Sequence, residues 1–521
     1  MLDVRLTGAD IVTMDPARPR AHQLGSWHGR IVGLDEAVAD LPATRVVDLD
    51  GATVLPGFID AHVHLAWAGL RERTPSVAGC ARPADMLAVI GRAAAARPAG
   101  EWVDIVGYDQ RPLGRHLTAA ELDTVGGGRK VFLLHDSGHA CVVSSAVLDL
   151  LPDGVGHTDG LLVEGGMAAV RRLRMPYAMD ELVDAIEAAG RTCRAEGVTS
   201  VVEAGIGGGL VTHSPVELGA YQAAEDAGRL PVRVQLMIAG EALRPVGAHP
   251  SDGIPRALEL GLRTGFGGDR LSIGALKIFT DGGMMARTAA LTTPYEGMDH
   301  RGQLYAEPDA LAGLVLDGHR AGWQLAIHAI GDRAVDVALD ALGEAQRRWP
   351  RPGVRHRIEH AGLVRPDQLE RFARTGALAV VQPNFLWFNG ADYAAVLGQE
   401  RSAWLYRGRA FRDHGVRVVG SSDRPVTPGA PLRAIQFMVE RTAGDGTVVG
   451  PGEALTVDEA LRAYTVDAAY ACHREDTLGS LMPGKHADLV VLADDPRRVE
   501  VGRIAGIEVL ATVLGGRWDA W

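Results

Sequence analysis

Short apolar segments alternate with longer amphipathic ones through the middle of the chain, and this alternation limits the fold more than any other feature. The apolar segments cover residues 199–202, 232–237, 273–278, 325–328, 354–360, 378–382 and 417–423. Helical periodicity predicts helices over 179–195, 310–321, 333–348, 366–374 and 403–414, with a further helical stretch around 257–261. Strands that are apolar on both faces and alternate with helices imply a parallel sheet. This number of repeats favours a closed (β/α)₈ TIM barrel over an open doubly wound sheet.

The two ends of the chain and one internal segment depart from this rhythm. Residues 1–55 and 478–521 contain short strands separated by Gly, Pro and Asp, so we expect both ends to form one composite β-sandwich domain. The barrel then occupies residues 56–477. Residues 73–174 contain strand-like pieces that break the alternation. We interpret this stretch as an insertion after the first barrel strand, at the face where barrel active sites lie.

Composition and charge exclude several classes of protein. A hydrophobic fraction of 47% fills a large core and rules out disorder as the main state. The 53 Lys and Arg residues against 65 Asp and Glu residues give a formal net charge of −12, which argues against nucleic-acid and anionic-membrane partners. No GxGxxG motif marks a dinucleotide site. The expected partner is a small-molecule substrate.

The cysteines and the hydropathy bear on the cellular compartment. Cys80, Cys141, Cys193 and Cys472 are widely separated and form no CxxC pair, so neither a disulfide framework nor a zinc knuckle is predicted. The N-terminus lacks a basic start followed by an apolar run, and no apolar stretch approaches the roughly 20 residues that span a bilayer. We therefore expect a cytoplasmic protein with no membrane partner.

A pair of histidines near the start of the predicted barrel is the sharpest chemical signal in the sequence. Residues 54–64 read VLPGFIDAHVH. Side chains two positions apart on a strand point to the same side, so His62 and His64 aim two imidazoles at one point. Neutral imidazole nitrogens are ligands that zinc and similar ions prefer. An HxH pair also occurs by chance, so the metal interpretation depends on the rest of the chain.

Further metal-binding side chains follow apolar segments later in the sequence. His328, His360 and Asp423 each end a predicted strand, where a barrel strand meets its following loop. Each has an ordinary alternative, because a buried histidine is often a satisfied core group and a strand-end aspartate is often a helix N-cap. A chance gathering of all of them at the same kind of position is much less favoured. We therefore predict a metal centre at the mouth of the barrel.

Lys277 lies inside a strongly apolar predicted strand, where a lone ammonium group is costly to bury. One explanation is an ion pair with Glu203 or Asp281. The other is a depressed pKa and reaction of the neutral amine with CO₂, which gives a carbamate oxygen able to bridge two metal ions. Glu203 stands at another predicted strand end and is a competing bridging ligand. The sequence does not decide between these alternatives.

Taken in order, these segments resemble those of the amidohydrolase superfamily, and more narrowly its amidohydrolase-3 branch, which includes N-substituted formamide deformylases. The resemblance covers nearly the whole chain. It rests on LPGFIDAHVH at 55–64, KIFTDGG at 277–283, HAIGDRA at 328–334, RIEHA at 357–361, SDRPV at 422–426 and LGSLMPGKHADLV at 478–490. It implies a (β/α)₈ barrel joined to a β-sandwich, with a centre of one or two divalent metal ions, usually zinc.

The same resemblance implies roles for individual residues. The implied metal ligands are His62, His64, His328, His360 and Asp423, with carbamylated Lys277 as the bridge. Asp423 is also the expected catalytic base and acid, while a metal ion or an imidazole such as His328 polarises the carbonyl oxygen. In the insertion, His139 is expected to contact the substrate, with Tyr108 and Asp109 as weaker candidates. Family habit suggests a homodimer.

The leading hypothesis is a metal-dependent hydrolase of a non-peptide carbon–nitrogen bond, in a linear amide or an N-formyl or N-acyl amine. A deaminase, or a hydrolase of cyclic amides or lactones, fits the same scaffold. A non-catalytic scaffold is disfavoured because the whole ligand set is retained, and a carboxylate-only glycosidase gives no reason for the paired histidines. Phe385, Trp387 and Phe388 either form an aromatic wall of the substrate pocket or pack on the barrel exterior.

Overall fold

The computed structural model describes residues 1–136, 138, 140–163, 165–208 and 212–518, and it confirms the predicted fold class. Its strands are β1 (Leu2–Thr7), β2 (Asp10–Val12), β3 (Arg20–Ala21), β4 (Leu24–Trp27), β5 (Arg30–Leu34), β6 (Ala43–Asp48), β7 (Thr53–Pro56), β8 (Phe58–Val63), β9 (Trp102–Tyr108), β10 (Lys130–His135), β11 (Ala140–Val143), β12 (Leu161–Val163), β13 (Val198–Ile206), β14 (Arg233–Ala239), β15 (Arg244–Pro245), β16 (Arg256–Ala257), β17 (Leu271–Phe279), β18 (Leu325–Ala329), β19 (Arg357–His360), β20 (Leu378–Val381), β21 (Val418–Gly420), β22 (Leu489–Leu492), β23 (Val509–Leu514) and β24 (Arg517–Trp518).

The α-helices follow the same order along the chain. They are α1 (Glu36–Ala39), α2 (Leu65–Arg73), α3 (Pro83–Ala95), α4 (Ala119–Gly126), α5 (Ser145–Leu148), α6 (Gly165–Arg174), α7 (Met179–Ala195), α8 (Glu217–Asp226), α9 (Pro308–Arg320), α10 (Asp332–Arg348), α11 (Pro366–Thr375), α12 (Pro383–Ser402), α13 (Arg409–Asp413), α14 (Pro431–Glu440), α15 (Val457–Ala463) and α16 (Val466–Ala471). None of these described helices combines the length and the apolarity needed to cross a bilayer.

The barrel is one parallel sheet in the order β8-β13-β14-β17-β18-β19-β20-β21. Its strands are buried on nearly every residue, as expected where helices cover the outside and side chains fill the inside. Because all eight strands run in one direction, their carboxyl ends lie at one face. The residues that follow these ends meet there.

The first and last barrel strands are joined at this face by backbone hydrogen bonds. The Asp423 N–H donates to the His62 carbonyl at 2.8 Å, and the His64 N–H donates to the Arg424 carbonyl at 2.7 Å. These two bonds form the closing seam of the barrel, the line where β8 meets the residues after β21. Three of the four residues in the seam are predicted metal ligands.

Both ends of the chain form the composite sandwich. β7 pairs in parallel with β2 from the start of the chain and antiparallel with β22 from its end, so Val54 lies opposite Val491. A second sheet, in the order β5-β4-β1-β6, covers this one across a shared apolar cluster. β8 begins two residues after β7, so the sandwich holds the start of the first barrel strand.

The insertion lies between α2 and α7 and has a sheet of its own, in the order β12-β11-β10-β9. Helices α3 and α4 pack on one apolar cluster of this sheet, and α6 packs on a second. One ion pair joins the insertion to the helix before it, Arg71 of α2 with Asp136. A second, Arg174 of α6 with Asp104 of β9, holds α6 on the sheet of the insertion. The insertion is therefore tied to α2, which leaves the mouth of the barrel.

Two of the predicted helices are wrong. The stretch 257–261 forms only the end of β16 and a single turn, because Pro255 and Gly261 leave too few residues for a helix and Leu260 adopts a φ of +68°. Over 403–414, only the short α13 is helical, while α12 has already run from Pro383 to Ser402. The chain between α12 and α13 is held instead by the buried Arg407, which bonds the Val364 carbonyl and the Glu453 carboxylate.

Helix α2 packs very closely on α7, and a glycine makes this possible. A Cβ at Gly69 would lie 1.8 Å from the Ala185 carbonyl oxygen of α7. Since α2 starts at the residue after His64, the position of this helix sets the position of that histidine.

We predict that Gly69→Ala lowers the free energy of unfolding by about 1–3 kcal/mol, because the added methyl forces the two helices apart. The matched control is Gly313→Ala in α9, where an added Cβ meets no atom within 4 Å. It should be neutral or stabilising by about 0.5–1 kcal/mol, since alanine is the better helix former. Thermal unfolding of the two variants checks this, and equal melting temperatures would contradict it.

Candidate metal centre

His62, His64 and Asp423 converge in space, as the sequence predicts. The Nε2 atoms of His62 and His64 lie 3.3 Å and 3.1 Å from Asp423 Oδ1. All three side chains are buried, and one ligand atom from each lies within 4.8 Å of the others. The two imidazole planes are nearly perpendicular, at 87°, so their nitrogens approach the carboxylate from different directions.

These distances fit a bound cation. Nitrogen and oxygen ligands at about 2.1 Å from a tetrahedral ion lie about 3.4 Å from one another, close to the separations found for His62 and His64. Two imidazole nitrogens and one carboxylate oxygen are a donor set that zinc and similar divalent ions take. The residues present therefore fit a divalent metal ion.

His328 and His360 lie beside this group and extend it. The ring of His360 is 5.0 Å from that of His62 and 4.4 Å from that of His328, centroid to centroid. In both side chains Nδ1 is buried and makes no hydrogen bond within the described part of the chain. Burial lowers the pKa of both imidazoles well below the usual value, so both are neutral and able to act as ligands.

The Lys277 amine lies among these histidines. Its Nζ is 3.3 Å from His62 Nε2 and 4.7 Å from the centre of the Phe279 ring. Neither carboxylate suggested by the sequence pairs with it. Glu203 accepts the N–H groups of Leu65 and Ala66 at the start of α2. The carboxylate of Asp281 accepts three backbone N–H groups, those of Ala290, Ile330 and Gly331.

Glu203 supports the centre from behind a histidine. Its Oε1 is 3.7 Å from His64 Nδ1, on the side of the ring away from Asp423, and its other oxygen also accepts the Tyr221 hydroxyl. This carboxylate is therefore placed to orient His64 and to stabilise the N-terminus of α2. Its position separates it from Lys277, which lies on the ligand side of His62.

Sequence reasoning did not give a role to Glu359, which orients His62. The Glu359 carboxylate accepts a hydrogen bond from His62 Nδ1 and two from the Arg357 guanidinium. Burial raises the pKa of Glu359, but the charge of Arg357 and the His62 bond outweigh it and hold the pKa at about 2. The ionised carboxylate fixes the tautomer that leaves Nε2 of His62 free for a metal. The signal available was an arginine two positions before a glutamate, which places both charges on one side of a predicted barrel strand.

Backbone geometry is unusual at two of the predicted ligands. His360 and Asp423 have φ values of +71° and +57°, in the left-handed region that residues with side chains seldom adopt. Such conformations cost of order 1–3 kcal/mol and persist where the surroundings hold them. At Asp423 the closing seam does this, together with the preceding Ser422, whose N–H donates to buried Asp60 at 3.0 Å.

The three residues predicted in the insertion do not join this group. The Tyr108 hydroxyl accepts the Leu117 N–H at 2.8 Å, within the apolar core of the insertion. Asp109 pairs with Arg111 at 2.8 Å. No contact links Tyr108 or Asp109 to the metal centre among the residues the structure describes, so geometry gives no support to a substrate role. His139 lies outside the described residues.

The aromatic residues near the start of α12 divide between the two predicted alternatives. Phe385 is buried with its ring 6.3 Å from that of His360, so it belongs to the wall of the centre. Trp387 and Phe388 pack on each other and under Arg433, and Phe388 is 42% exposed. These two therefore lie on the outside.

Comparison with known proteins agrees with this architecture. Residues 45–518 match the model of the Amidohydrolase family, in its amidohydrolase-3 branch. An N-substituted formamide deformylase of Arthrobacter pascens is 30% identical, over 99% of this chain and 98% of that protein. Protein LONG AFTER FAR-RED 3 of Arabidopsis thaliana is 28% identical, over 99% of this chain and 91% of that protein.

A solved structure shows the same similarity. The crystal structure of an uncharacterized metal-dependent hydrolase from Pyrococcus horikoshii has a TM-score of 0.80 and is 28% identical, over 96% of this chain and 99% of that chain. The family match spans the barrel, the sandwich strands from β7 onward and every residue of the predicted centre. The chain therefore belongs to the amidohydrolase family and is a metal-dependent hydrolase.

Proposed function

We propose that this hydrolase cleaves the carbon–nitrogen bond of a linear amide, an N-formyl amine or an N-acyl amine, with zinc at the centre described above. The observation that carries the proposal is the convergence of His62, His64 and Asp423 at ligand distances, with the Lys277 amine beside them. The similarity to an N-substituted formamide deformylase supports the choice of bond.

The proposed ligands are His62, His64, His328, His360 and Asp423, with Lys277 as the bridge. His328 Nε2 lies 3.3 Å from the Gly282 carbonyl, so this nitrogen carries the proton and donates it. The bare Nδ1 then suits a ligand role better than donation of a hydrogen bond to the substrate. The sequence allowed His328 to be a metal ligand and also to polarise the carbonyl oxygen of the substrate. The assignment of the proton favours the ligand role.

Lys277 is proposed to carry a carbamate. Burial lowers the pKa of its amine to about 8, so part of it is neutral near physiological pH. A neutral amine combines with CO₂ by forming an N–C bond and releasing one proton, which gives an anionic oxygen ligand. Glu203 is less suited to bridge, because its oxygens hold α2 and Tyr221 and lie behind His64.

A divalent ion held by these residues would supply Lewis acidity and would lower the pKa of water at the site to about 7. Asp423 then accepts a proton and later donates it. Burial raises the pKa of Asp423, but the adjacent imidazoles of His62 and His64 outweigh it, hold the pKa well below its usual value and keep the carboxylate ionised. As water attacks the substrate carbonyl carbon, its proton passes to Asp423. Asp423 returns this proton to the leaving nitrogen as the C–N bond breaks, so the base becomes the acid.

A substrate panel combined with elemental metal analysis tests the proposal. The protein as purified should contain a divalent metal and should release a carboxylic acid from N-formyl and N-acyl amines. Chelation followed by metal return should remove and restore this activity. Release of ammonia from amino-substituted rings, or opening of cyclic amides without cleavage of linear ones, would instead favour the alternative reactions on the same scaffold.

Asp423→Asn should retain most of the metal and lower kcat by about 10²–10⁴-fold, because the amide cannot accept and return a proton. Asp413→Asn, at an exposed position on α13, serves as the control and should change neither quantity. Turnover numbers measured beside metal content separate loss of the proton carrier from loss of the ion. Unchanged turnover would exclude the role given to Asp423.

Lys277→Ala should lower metal content more than Glu203→Gln does, because Lys277 lies on the ligand side of His62 and Glu203 lies behind His64. Added formate or acetate should partly restore metal and activity in Lys277→Ala, since a small carboxylate replaces the carbamate oxygen. Metal retained in full by Lys277→Ala but lost from Glu203→Gln would reverse the assignment of the bridge.

A further inference from the structure

A cavity lies beside the metal centre, between α2, the insertion sheet and the residues after α6. Its volume is about 40 Å³, and its walls include Trp67, Phe132, Arg171, Tyr177 and His213. The Trp67 ring lies 5.7 Å from the His64 ring, centroid to centroid. One indole ring therefore separates this cavity from a proposed metal ligand.

Three arginines line the cavity, and two of them have carboxylate partners. Arg71 pairs with Asp136, and Arg174 pairs with Asp104 at 2.8 Å. For the Arg171 side chain, the described residues provide no ion pair and no hydrogen bond. Among the described residues, the Arg171 guanidinium therefore has no counter-charge.

The Arg171 side chain is half-buried, so its guanidinium is only partly solvated. Its guanidinium lies over the Trp67 ring, 5.7 Å from the centroid. Burial lowers its pKa, and the charges of Tyr177 and Glu217 oppose this only in part. Glu217 is already occupied, since its carboxylate accepts the Thr212 hydroxyl at 2.9 Å and the His213 N–H at 2.8 Å. A charge in such a place is stabilised when an anion pairs with it.

A second donor lines the same wall. The Tyr177 hydroxyl makes no hydrogen bond to any residue in the described part of the chain, and burial raises its pKa, so it stays a neutral phenol. The planar guanidinium of an arginine can offer two parallel N–H groups to a carboxylate. Together the two side chains match the acceptors of one carboxylate group.

We propose that this cavity binds a carboxylate carried by the substrate, with Arg171 as its counter-charge and Tyr177 as a second donor. The inference rests on the proposed function and narrows it. The substrate is an amide or N-formyl amine that also bears an acid group, as an N-acylated amino acid does. Trp67 lies between the scissile amide at the metal centre and the acid in the cavity.

Paired substrates test this on the full-length enzyme with its metal. One series is ω-(formylamino)alkanoates of increasing chain length, and the matched series is N-formylalkylamines without the acid. The wild-type enzyme should favour the acid series at one chain length. Arg171→Met should lower the ratio of kcat/KM for acid over neutral substrate by about 10–100-fold, mainly through KM. Arg172→Met, at the exposed neighbouring position of α6, is the matched control and should leave the ratio unchanged.

Two further variants keep the test valid if Arg171→Met does not fold. Arg171→Lys retains the charge without the paired donors, so it should keep part of the preference. Thr74→Phe leaves Arg171 in place and fills the cavity from the end of α2, so it should remove the preference. An acid preference that survives in Thr74→Phe would overturn the proposal.

Binding of carboxylates without turnover separates this inference from the proposed function. Butanoate and 4-aminobutanoate should raise the melting temperature of the wild-type protein and not that of Arg171→Met. If this occurs while no amide is cleaved, the carboxylate site stands and the proposed reaction is wrong. If neutral amides are cleaved but the acid-to-neutral ratio is the same in wild type and Arg171→Met, the reaction stands and the carboxylate site is wrong.

Discussion

The hydrogen bonds that close the barrel between its first and last strands are the constraint on which the site depends. They join the backbone of His62 and His64 to that of Asp423 and Arg424. The bonds that complete the sheet therefore also set the separation of three proposed ligands. The left-handed backbone at Asp423 is tolerated because this seam and the Asp60–Ser422 contact hold it. The same hydrogen bonds therefore stabilise the closed barrel and fix the geometry of the centre.

Charge inside the barrel is arranged so that few groups stand alone. Arg357 and Glu359 neutralise each other, and Glu359 in turn orients His62. Breaking such a buried pair leaves an uncompensated charge, which is far more costly than losing an exposed pair. Lys277 departs from this pattern, since its amine pairs with no carboxylate among the described residues and lies beside His62.

Much of the fold could be predicted from periodicity. The helix over 179–195 and the sequence of apolar strands follow from side-chain burial on one face or both faces, which local sequence records directly. The helices at 257–261 and 403–414 could not be predicted correctly. In the first, chain breakers shorten the segment to one turn. In the second, the distant Glu453 and Val364 hold Arg407 in an extended connection, and periodicity carries no signal of such partners.

The sequence by itself determined which side chains end the barrel strands, and so which imidazoles, carboxylate and amine can reach one face. Strand period and strand direction are local properties, and they suffice for that. Only the tertiary structure decided that Glu203 lies behind His64, that Glu359 orients His62, and that Tyr108 faces the core of the insertion. It alone placed Arg171 over Trp67. These are distances between side chains from different strands and from the insertion, and barrel closure and packing fix them through space rather than along the chain.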